Sequence, residues 1–132
     1  MISHQKIDDG RLPLNGFSAS WSPNGRSLVG VKHQENYLWD TTSWEEIYTI
    51  RSRDAGDASP NLLSWNARGD RFASCTGQLV DVWDSRTGRN QLHIRAHNTD
   101  ARAIAWSPDG RCLASCDGNS VRIWDASRGY ER

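Results

Sequence analysis

The last third of the chain consists of short hydrophobic runs separated by turn-forming residues. The first run, Ala103–Trp106, is followed by Ser107-Pro108-Asp109-Gly110, in which the proline and the glycine favour a tight β-turn. The second run, Cys112–Ser115, is separated from the third, Val121–Trp124, by another turn signal at Asp117-Gly118. Runs this short between turns predict three antiparallel strands.

The same pattern occurs three times along the chain. Each copy opens with a tryptophan before a turn and closes with a Trp-Asp pair; the copies run from Trp21 to Asp40, from Trp65 to Asp84 and from Trp106 to Asp125. The two tryptophans of a copy are always 18 residues apart (21 to 39, 65 to 83, 106 to 124), and successive copies start 44 (21 to 65) and 41 (65 to 106) residues apart. A period of this length with a Trp-Asp ending is typical of the four-stranded blade of a β-propeller.

These motifs carry a resemblance to a known family. With its Trp-Asp endings and its Ser-Pro-Asp-Gly-Arg turn at residues 107–111, the chain resembles the WD-repeat (tryptophan–aspartate repeat) β-propeller family, in the style of bacterial repeats. The resemblance covers residues 17–125. It implies an all-β fold of three WD-repeat propeller blades, each a four-stranded antiparallel meander, which together form a partial propeller.

The repeats divide the chain into blades and connections. The predicted parts are an N-terminal strand or loop at 1–16, blade 1 at 17–50, a loop at 51–60, blade 2 at 61–94, and a loop with blade 3 at 95–132. Ile47–Ile50 and Gln91–Ile94 are the expected outer strands of the first two blades, and blade 3 lacks its outer strand. Ile2–Ile7 has the spacing of an outer strand, and the resemblance implies that such an N-terminal strand closes the last blade.

Three blades are fewer than the roughly four to eight that normally close a propeller. Because blades bury their apolar faces on each other, an open row of three would leave one such face uncovered at each end. Three explanations stay open: the chain is part of a longer propeller, copies of it form a homo-oligomer that closes the ring, or another protein covers the ends.

Charge and hydropathy limit the classes of function. Sixteen basic and sixteen acidic residues leave no net charge, which gives no reason to expect a nucleic-acid or membrane partner. The first residues, Met1–Lys6, are too polar for a signal peptide, and no apolar run approaches the length of a transmembrane helix. We therefore expect a cytoplasmic protein.

The three cysteines fit that compartment as free thiols. Cys75 and Cys116 occupy equivalent positions in their repeats and are expected at the same depth in neighbouring blades. Cys112 and Cys116 lie about 13 Å apart if they share one strand, which is too far for a disulfide. No cysteine or histidine pairs have the spacing of zinc ligands, so neither a metal nor a cofactor is expected.

One set of residues is similar to the structural hydrogen-bond network of WD-repeat proteins. The resemblance assigns that network to His97, Ser115, Asp117 and Trp124. The first two copies have Leu12 and Gly56 in place of the histidine, so only the third can form the full set. A Ser-His-Asp set also occurs in hydrolases, but no Gly-x-Ser-x-Gly elbow surrounds Ser115. We therefore expect a structural role and assign no catalytic residues.

Binding is expected to use loops on a rigid scaffold. The candidates are Trp44, which could anchor a partner, and Asp100 with Arg102, which precede an inner strand near the face where family members often take peptides. The predicted function is a non-catalytic protein–protein interaction scaffold that binds a protein or peptide. The alternative is a propeller module accessory to an enzyme or signalling domain outside this chain.

Overall fold

The computed structural model describes residues 19–32, 35–52 and 62–127 of the chain. These residues contain no helix and form eleven strands: β1 (Ala19–Trp21), β2 (Ser27–Lys32), β3 (Glu35–Asp40), β4 (Glu46–Ile50), β5 (Leu62–Trp65), β6 (Arg71–Thr76), β7 (Leu79–Asp84), β8 (Asn90–Arg95), β9 (Ala103–Trp106), β10 (Cys112–Cys116) and β11 (Val121–Asp125). The predicted strand Ile2–Ile7, the positions Leu12 and Gly56, and most of the loop 51–60 lie outside the described residues.

The strands form three antiparallel sheets, each in meander order. Sheet 1 contains β1–β4, sheet 2 contains β5–β8, and sheet 3 contains β9–β11. The prediction of an all-β fold made of partial propeller blades is therefore confirmed, and the row of sheets is not closed into a ring. The expected outer strands of the first two sheets are present as β4 and β8, and within the described residues sheet 3 has three strands.

The turn after the innermost strand has the same structure in all three sheets. Between β9 and β10, the N–H of Gly110 donates to the carbonyl of Ser107 at 2.9 Å, and Gly110 has a φ of +75°. Glycine adopts this left-handed conformation without the strain that a Cβ causes. The Ser107 hydroxyl also accepts the N–H of Cys112 at 3.0 Å, which fixes the start of β10. Gly25 and Gly69 have similar positive φ angles in the other two sheets.

Sheets 1 and 2 pack face to face. Their junction is a buried apolar cluster of Val29, Leu38, Ile50, Phe72 and Trp83. At the outer edge of this junction, the Tyr48 hydroxyl of β4 donates to the Ser85 carbonyl of sheet 2. Burial in the junction raises the pKa of the Tyr48 phenol to about 12.

Sheets 2 and 3 pack through the opposite face of sheet 2. Their junction buries Ala73, Cys75, Val80, Val82 and Leu113, with Trp106 and Trp124 packed against them. Side chains alternate along a strand, so that neighbours such as Phe72 and Ala73 point to opposite faces and serve different junctions. Sheet 2 therefore has an apolar neighbour on both faces.

One indole hydrogen bond crosses each junction. Trp65 Nε1 in β5 donates to the carbonyl of Ser20 in β1 at 2.9 Å. Trp106 Nε1 in β9 donates to the carbonyl of Ser64 in β5, also at 2.9 Å. The last residue of β5 and the last residue of β9 thus each join their own sheet to the sheet before it.

The expectation that Cys75 and Cys116 lie at the same depth is wrong. Cys75 is fully buried, whereas Cys116 is partly exposed. Cys75 packs into the junction with sheet 3, but no fourth sheet covers the equivalent face of sheet 3 among the described residues. The burial of a repeat position therefore depends on which sheet lies beside it.

Candidate binding site and buried polar networks

The loop between β8 and β9 is held against turns of two sheets. The N–H of Ala101 donates to the carbonyl of Gly77, in the β6–β7 turn of sheet 2, at 3.0 Å. The N–H of Arg102 donates to the carbonyl of Cys116, at the end of β10 in sheet 3, at 2.7 Å. These bonds fix the backbone that carries the predicted binding residues Asp100 and Arg102.

Asp100 and Arg102 are both exposed at this end of the sheets. A Cβ at Gly77 would lie 3.6 Å from Asp100 Oδ1, and one at Gly118 would lie 3.6 Å from Arg102 Nε, so each charged side chain lies over a turn glycine. Arg95 is exposed at the start of the same loop. We call the surface formed by Arg95, Asp100 and Arg102 the loop face. Its charges of both signs can bind polar and charged groups of a peptide.

The third candidate, Trp44, lies at the opposite end of the sheets, in the β3–β4 turn. Its N–H donates to the carbonyl of Asp40 at 2.7 Å, and its φ of +60° is unusual for a bulky residue. The Trp44 ring meets Trp21 edge to face, with centroids 6.0 Å apart and ring planes at 84°. The structure therefore does not bring Trp44 together with Asp100 and Arg102.

The structure does bring together His97, Ser115, Asp117 and Trp124. The Trp124 indole N–H donates to Ser115 Oγ at 2.9 Å, and the same oxygen lies 2.7 Å from His97 Nε2. On the other side of the ring, His97 Nδ1 lies 3.2 Å from Asp117 Oδ2. This last approach is not aligned as a hydrogen bond, so it is an electrostatic contact.

The His97–Ser115 pair is closed to solvent. Each of the two residues exposes 1% of its surface. A nucleophilic serine needs a path by which a substrate can reach it, and this hydroxyl instead accepts the Trp124 indole N–H. The arrangement can tie the start of the β8–β9 loop to β10 and β11, but it does not present Ser115 as a nucleophile.

Asp117 orders the turn between β10 and β11. Its Oδ1 atom accepts the backbone N–H of Asn119 at 2.9 Å and that of Ser120 at 3.0 Å. These two donors hold the pKa of the Asp117 carboxyl below its ordinary value, with a smaller contribution from His97. Asp117 therefore stabilises the turn as well as lying beside His97.

A second buried polar group, in sheet 2, was not predicted from the sequence. The Asp81 carboxylate in β7 is fully buried, and its Oδ1 atom lies 2.6 Å from His93 Nδ1 in β8. The same carboxylate accepts hydrogen bonds from the Asn90 amide, at 3.2 Å, and from the Ser52 hydroxyl. Because Ser52 follows β4, this group links sheet 1 to sheet 2.

One signal for this group is present in the sequence. Asp81 is the only charged residue in the run Leu79–Trp83, and a carboxylate buried inside an apolar strand needs polar partners. The sequence does not identify those partners. Ser52 and His93 lie 29 and 12 residues away from Asp81, so only the packing of the strands reveals them.

Neither buried group forms part of a metal site, because no cluster of three or more His, Cys, Asp or Glu side chains in the described segments could hold an ion. Nor do these segments include a helix with the length and hydropathy needed to cross a bilayer.

Comparison with known families identifies one part of the chain. Residues 88–125 match the family described as WD domain, G-beta repeat. This segment contains β8 to β11 and all four residues around His97. A comparison with curated proteins gives no match.

Proposed function

Starting from the WD repeat at residues 88–125 and an all-β fold that fits a WD-repeat propeller, we propose that the chain is a non-catalytic protein–protein interaction scaffold. WD repeats generally serve as interaction modules. The three sheets would then form part of a complete propeller, which further blades or an oligomer supplies. The partner that the scaffold binds is a protein or a peptide.

We propose the loop face as the binding surface. The main support is that hydrogen bonds hold the backbone of this loop in place. Hydrogen bonds to Gly77 and Cys116 hold the loop on sheets 2 and 3, while Asp100 and Arg102 remain exposed. A loop that is already ordered loses little conformational entropy when it binds, so more of the contact energy appears as affinity.

The four residues around His97 have a supporting role in this proposal. His97 lies at the start of the same loop and contacts Ser115 in β10. We assign to His97, Ser115, Asp117 and Trp124 the task of holding the loop in one conformation. The group contributes to binding only through the position of the loop.

The proposed setting is the cytoplasm. All three cysteines are free thiols, which suits a reducing compartment. The zero net charge provides no general attraction to nucleic acids or to anionic membranes. The proposal therefore includes no nucleic-acid partner, no membrane partner and no cofactor.

Selection of binders from a displayed peptide library tests the proposal. The double variant Asp100→Lys/Arg102→Glu reverses two of the three charges of the loop face and retains the backbone hydrogen bonds of the loop. The control variant Glu45→Lys/Arg86→Glu makes the same two reversals at exposed turn positions at the opposite end of the sheets. We expect selected peptides to bind the loop-face variant about tenfold or more weakly, with unchanged binding to the control. Equal binding to wild type and both variants would contradict the loop face as the binding surface.

A further inference from the structure

The uncovered face of sheet 3 repeats, in β10 and β11, four residues of the face through which sheet 2 packs on sheet 3. The matched pairs are Ala73 and Ala114, Cys75 and Cys116, Val80 and Val121, and Val82 and Ile123. In sheet 2, Val80 and Val82 expose 0% and 1% of their surface. In sheet 3, Val121 and Ile123 expose 68% and 63%. We call the four sheet 3 residues, Ala114, Cys116, Val121 and Ile123, the open flank.

Trp21 occupies in sheet 1 the position that Trp65 and Trp106 occupy in sheets 2 and 3. At those two positions the indole donates a hydrogen bond to the preceding sheet. Trp65 and Trp106 each donate to the carbonyl of the residue before the tryptophan of the preceding sheet. Trp21 is 54% exposed, and its indole makes no hydrogen bond within the described part of the chain. If a sheet 3 preceded sheet 1, the same pattern would make the carbonyl of Ala105 the acceptor for Trp21, because Ala105 directly precedes Trp106.

We infer that the open flank binds sheet 1 of a second copy of this chain, with the Trp21 indole of one copy donating to the Ala105 carbonyl of the other. The inference rests on the proposed function as a propeller module and names one partner of that module. Each chain carries both halves of the contact, on two different surfaces, which is the condition for a ring of identical chains. Two copies of three sheets give six, within the usual range of about four to eight blades.

The surface around Trp21 supports an aromatic anchor of this kind. The β7–β8 turn of sheet 2 has Gly88 at the position that Trp44 occupies in sheet 1, and both residues have a positive φ. The turn of sheet 1 thus carries a large ring where glycine fits with less strain, and that ring packs on Trp21. Leu28 and Trp39 of sheet 1 are already buried, whereas Trp21 is 54% exposed and the Trp44 ring beside it is partly exposed. Tryptophan is enriched among residues that dominate binding energy.

The mass of the full chain in solution tests the inference. Light scattering or sedimentation equilibrium over a wide range of concentration should give twice the mass of one chain. The variant Val121→Glu/Ile123→Glu should give the mass of a single chain, and it should remain folded because both side chains are exposed in one copy. The matched control Asn98→Glu/Thr99→Glu adds the same charges at exposed positions outside the open flank and should stay dimeric.

Mixing of variants shows whether two different surfaces meet. Trp21→Ala damages one half of the contact and Val121→Glu/Ile123→Glu damages the other, so neither variant alone retains an intact junction. In a mixture, the open flank of the Trp21 variant can bind the intact Trp21 of the second protein. The mixture should therefore associate about tenfold or more tightly than either variant alone.

Thiol labelling gives a local readout of the same contact. Cys112 and Cys116 lie on the same face of β10 as Ala114, and both are partly exposed in one copy. Labelling of both thiols should slow as the protein concentration rises, and the variant Val121→Glu/Ile123→Glu should abolish this dependence on concentration.

Three outcomes would overturn the inference. A wild-type chain that stays monomeric at all concentrations would show that the open flank does not bind a second copy. A dimer that both surface variants leave intact would place the contact elsewhere. Growth to species larger than two chains would show that the junction does not close a ring of six. Binding of peptides at Asp100 and Arg102 is measured separately, so failure of either idea leaves the other standing.

Discussion

The Trp124 indole donates a hydrogen bond to Ser115 Oγ at 2.9 Å, and sheet 2 repeats this bond between Trp83 and Ser74 at 3.0 Å. Among the described residues, only sheet 3 extends the bond to a histidine, because His97 Nε2 lies 2.7 Å from Ser115 Oγ. The contribution of the histidine to stability can therefore be measured separately from that of the Trp–Ser bond.

Replacing His97 with alanine should lower the free energy of unfolding by about 1–3 kcal/mol, because the buried Ser115 hydroxyl loses a partner. Denaturant unfolding followed by tryptophan fluorescence measures this change. The control Asn98→Ala alters the exposed neighbour of His97 and should change the free energy by less than about 0.5 kcal/mol. An unchanged unfolding midpoint for His97→Ala would refute the supporting role of the histidine.

Asp81 and Arg122 stand at equivalent positions, two residues before the second tryptophan of their copies, and offer a matched comparison. Asp81→Ala removes the acceptor that Ser52, His93 and Asn90 share, and should cost about 3 kcal/mol in unfolding free energy. Arg122 is exposed and donates to the Ala96 carbonyl at 2.6 Å, so Arg122→Ala should cost about 1 kcal/mol or less.

Thermal and denaturant unfolding of both variants would rank the two positions. Equal losses for Asp81→Ala and Arg122→Ala would mean that the buried group in sheet 2 adds nothing to the link between sheets 1 and 2. Asp81→Asn provides a further check, because it retains an oxygen acceptor in the same place and should lose less stability than Asp81→Ala.

The strands could be predicted from the sequence because they depend on local features. The predicted runs Ala103–Trp106 and Cys112–Ser115 correspond to β9 and to β10, which extends one residue further. Turn glycines such as Gly110 mark places where the backbone adopts a positive φ, and alternation assigns neighbouring residues of a strand to opposite faces of its sheet. Both properties are contained within a few neighbouring residues.

Contacts between distant segments could not be predicted in the same way. The group around Asp81 joins residues from three separate segments, and no local pattern links them. Cys75 and Cys116 show the same limit, since equal positions in the repeat have different burial in the structure. The placement of Trp44 apart from Asp100 and Arg102 likewise follows from the direction of the strands, which two isolated loops do not reveal.

Stability should fall in acid as Asp117 is protonated. The backbone N–H groups of Asn119 and Ser120 hold the pKa of Asp117 below the value of about 3.9 expected for an unfolded chain. The stabilisation is therefore fully present above the unfolded pKa and is lost as the pH falls through the folded pKa. Denaturant unfolding at a series of pH values below about 5 measures this loss.

The variant Asp117→Asn separates this effect from general acid unfolding. Asparagine retains an oxygen acceptor for the turn but does not titrate, so its unfolding free energy should depend less on pH in the acid range. Asp109 also has a lowered pKa, through the Ser107 hydroxyl and the Arg111 N–H, and accounts for part of the remaining slope. The same pH dependence in wild type and Asp117→Asn would show that the turn does not favour the carboxylate.

Cys75 should be the least reactive of the three thiols. Burial raises its pKa to about 12, with a further contribution from the charge of Asp81. Relative to a thiol with the ordinary pKa of 9.0, the reactive thiolate is about a thousandfold less populated at neutral pH. Labelling with a maleimide followed by peptide mass spectrometry should modify Cys112 and Cys116 first, and Cys75 only after denaturant is added. Equal labelling rates in the native protein would contradict the burial of Cys75 between sheets 2 and 3.

Trp44 and Gly88 occupy equivalent turn positions in sheets 1 and 2. Substitutions at these two positions therefore distinguish effects on the stability of the chain from effects on its self-association. For Trp44→Gly, relief of left-handed strain is worth about 1–2 kcal/mol. The greater backbone freedom of unfolded glycine costs about 0.5–1 kcal/mol, and loss of the edge-to-face contact with Trp21 costs about 0.5–1.5 kcal/mol. These effects nearly cancel, so the unfolding free energy should change by less than about 1 kcal/mol.

Association should respond differently, because the Trp21–Trp44 pair on the surface of sheet 1 loses one of its two rings. We expect Trp44→Gly to weaken self-association about tenfold or more, measured by light scattering across a concentration series. Gly88→Ala is the reverse control: its Cβ would adopt a positive φ and lie 3.4 Å from the Tyr48 ring, so it should cost about 1–2 kcal/mol of stability without weakening association in the folded protein. If Trp44→Gly stabilises the chain and leaves association unchanged, the tryptophan serves only to cover the edge of sheet 1.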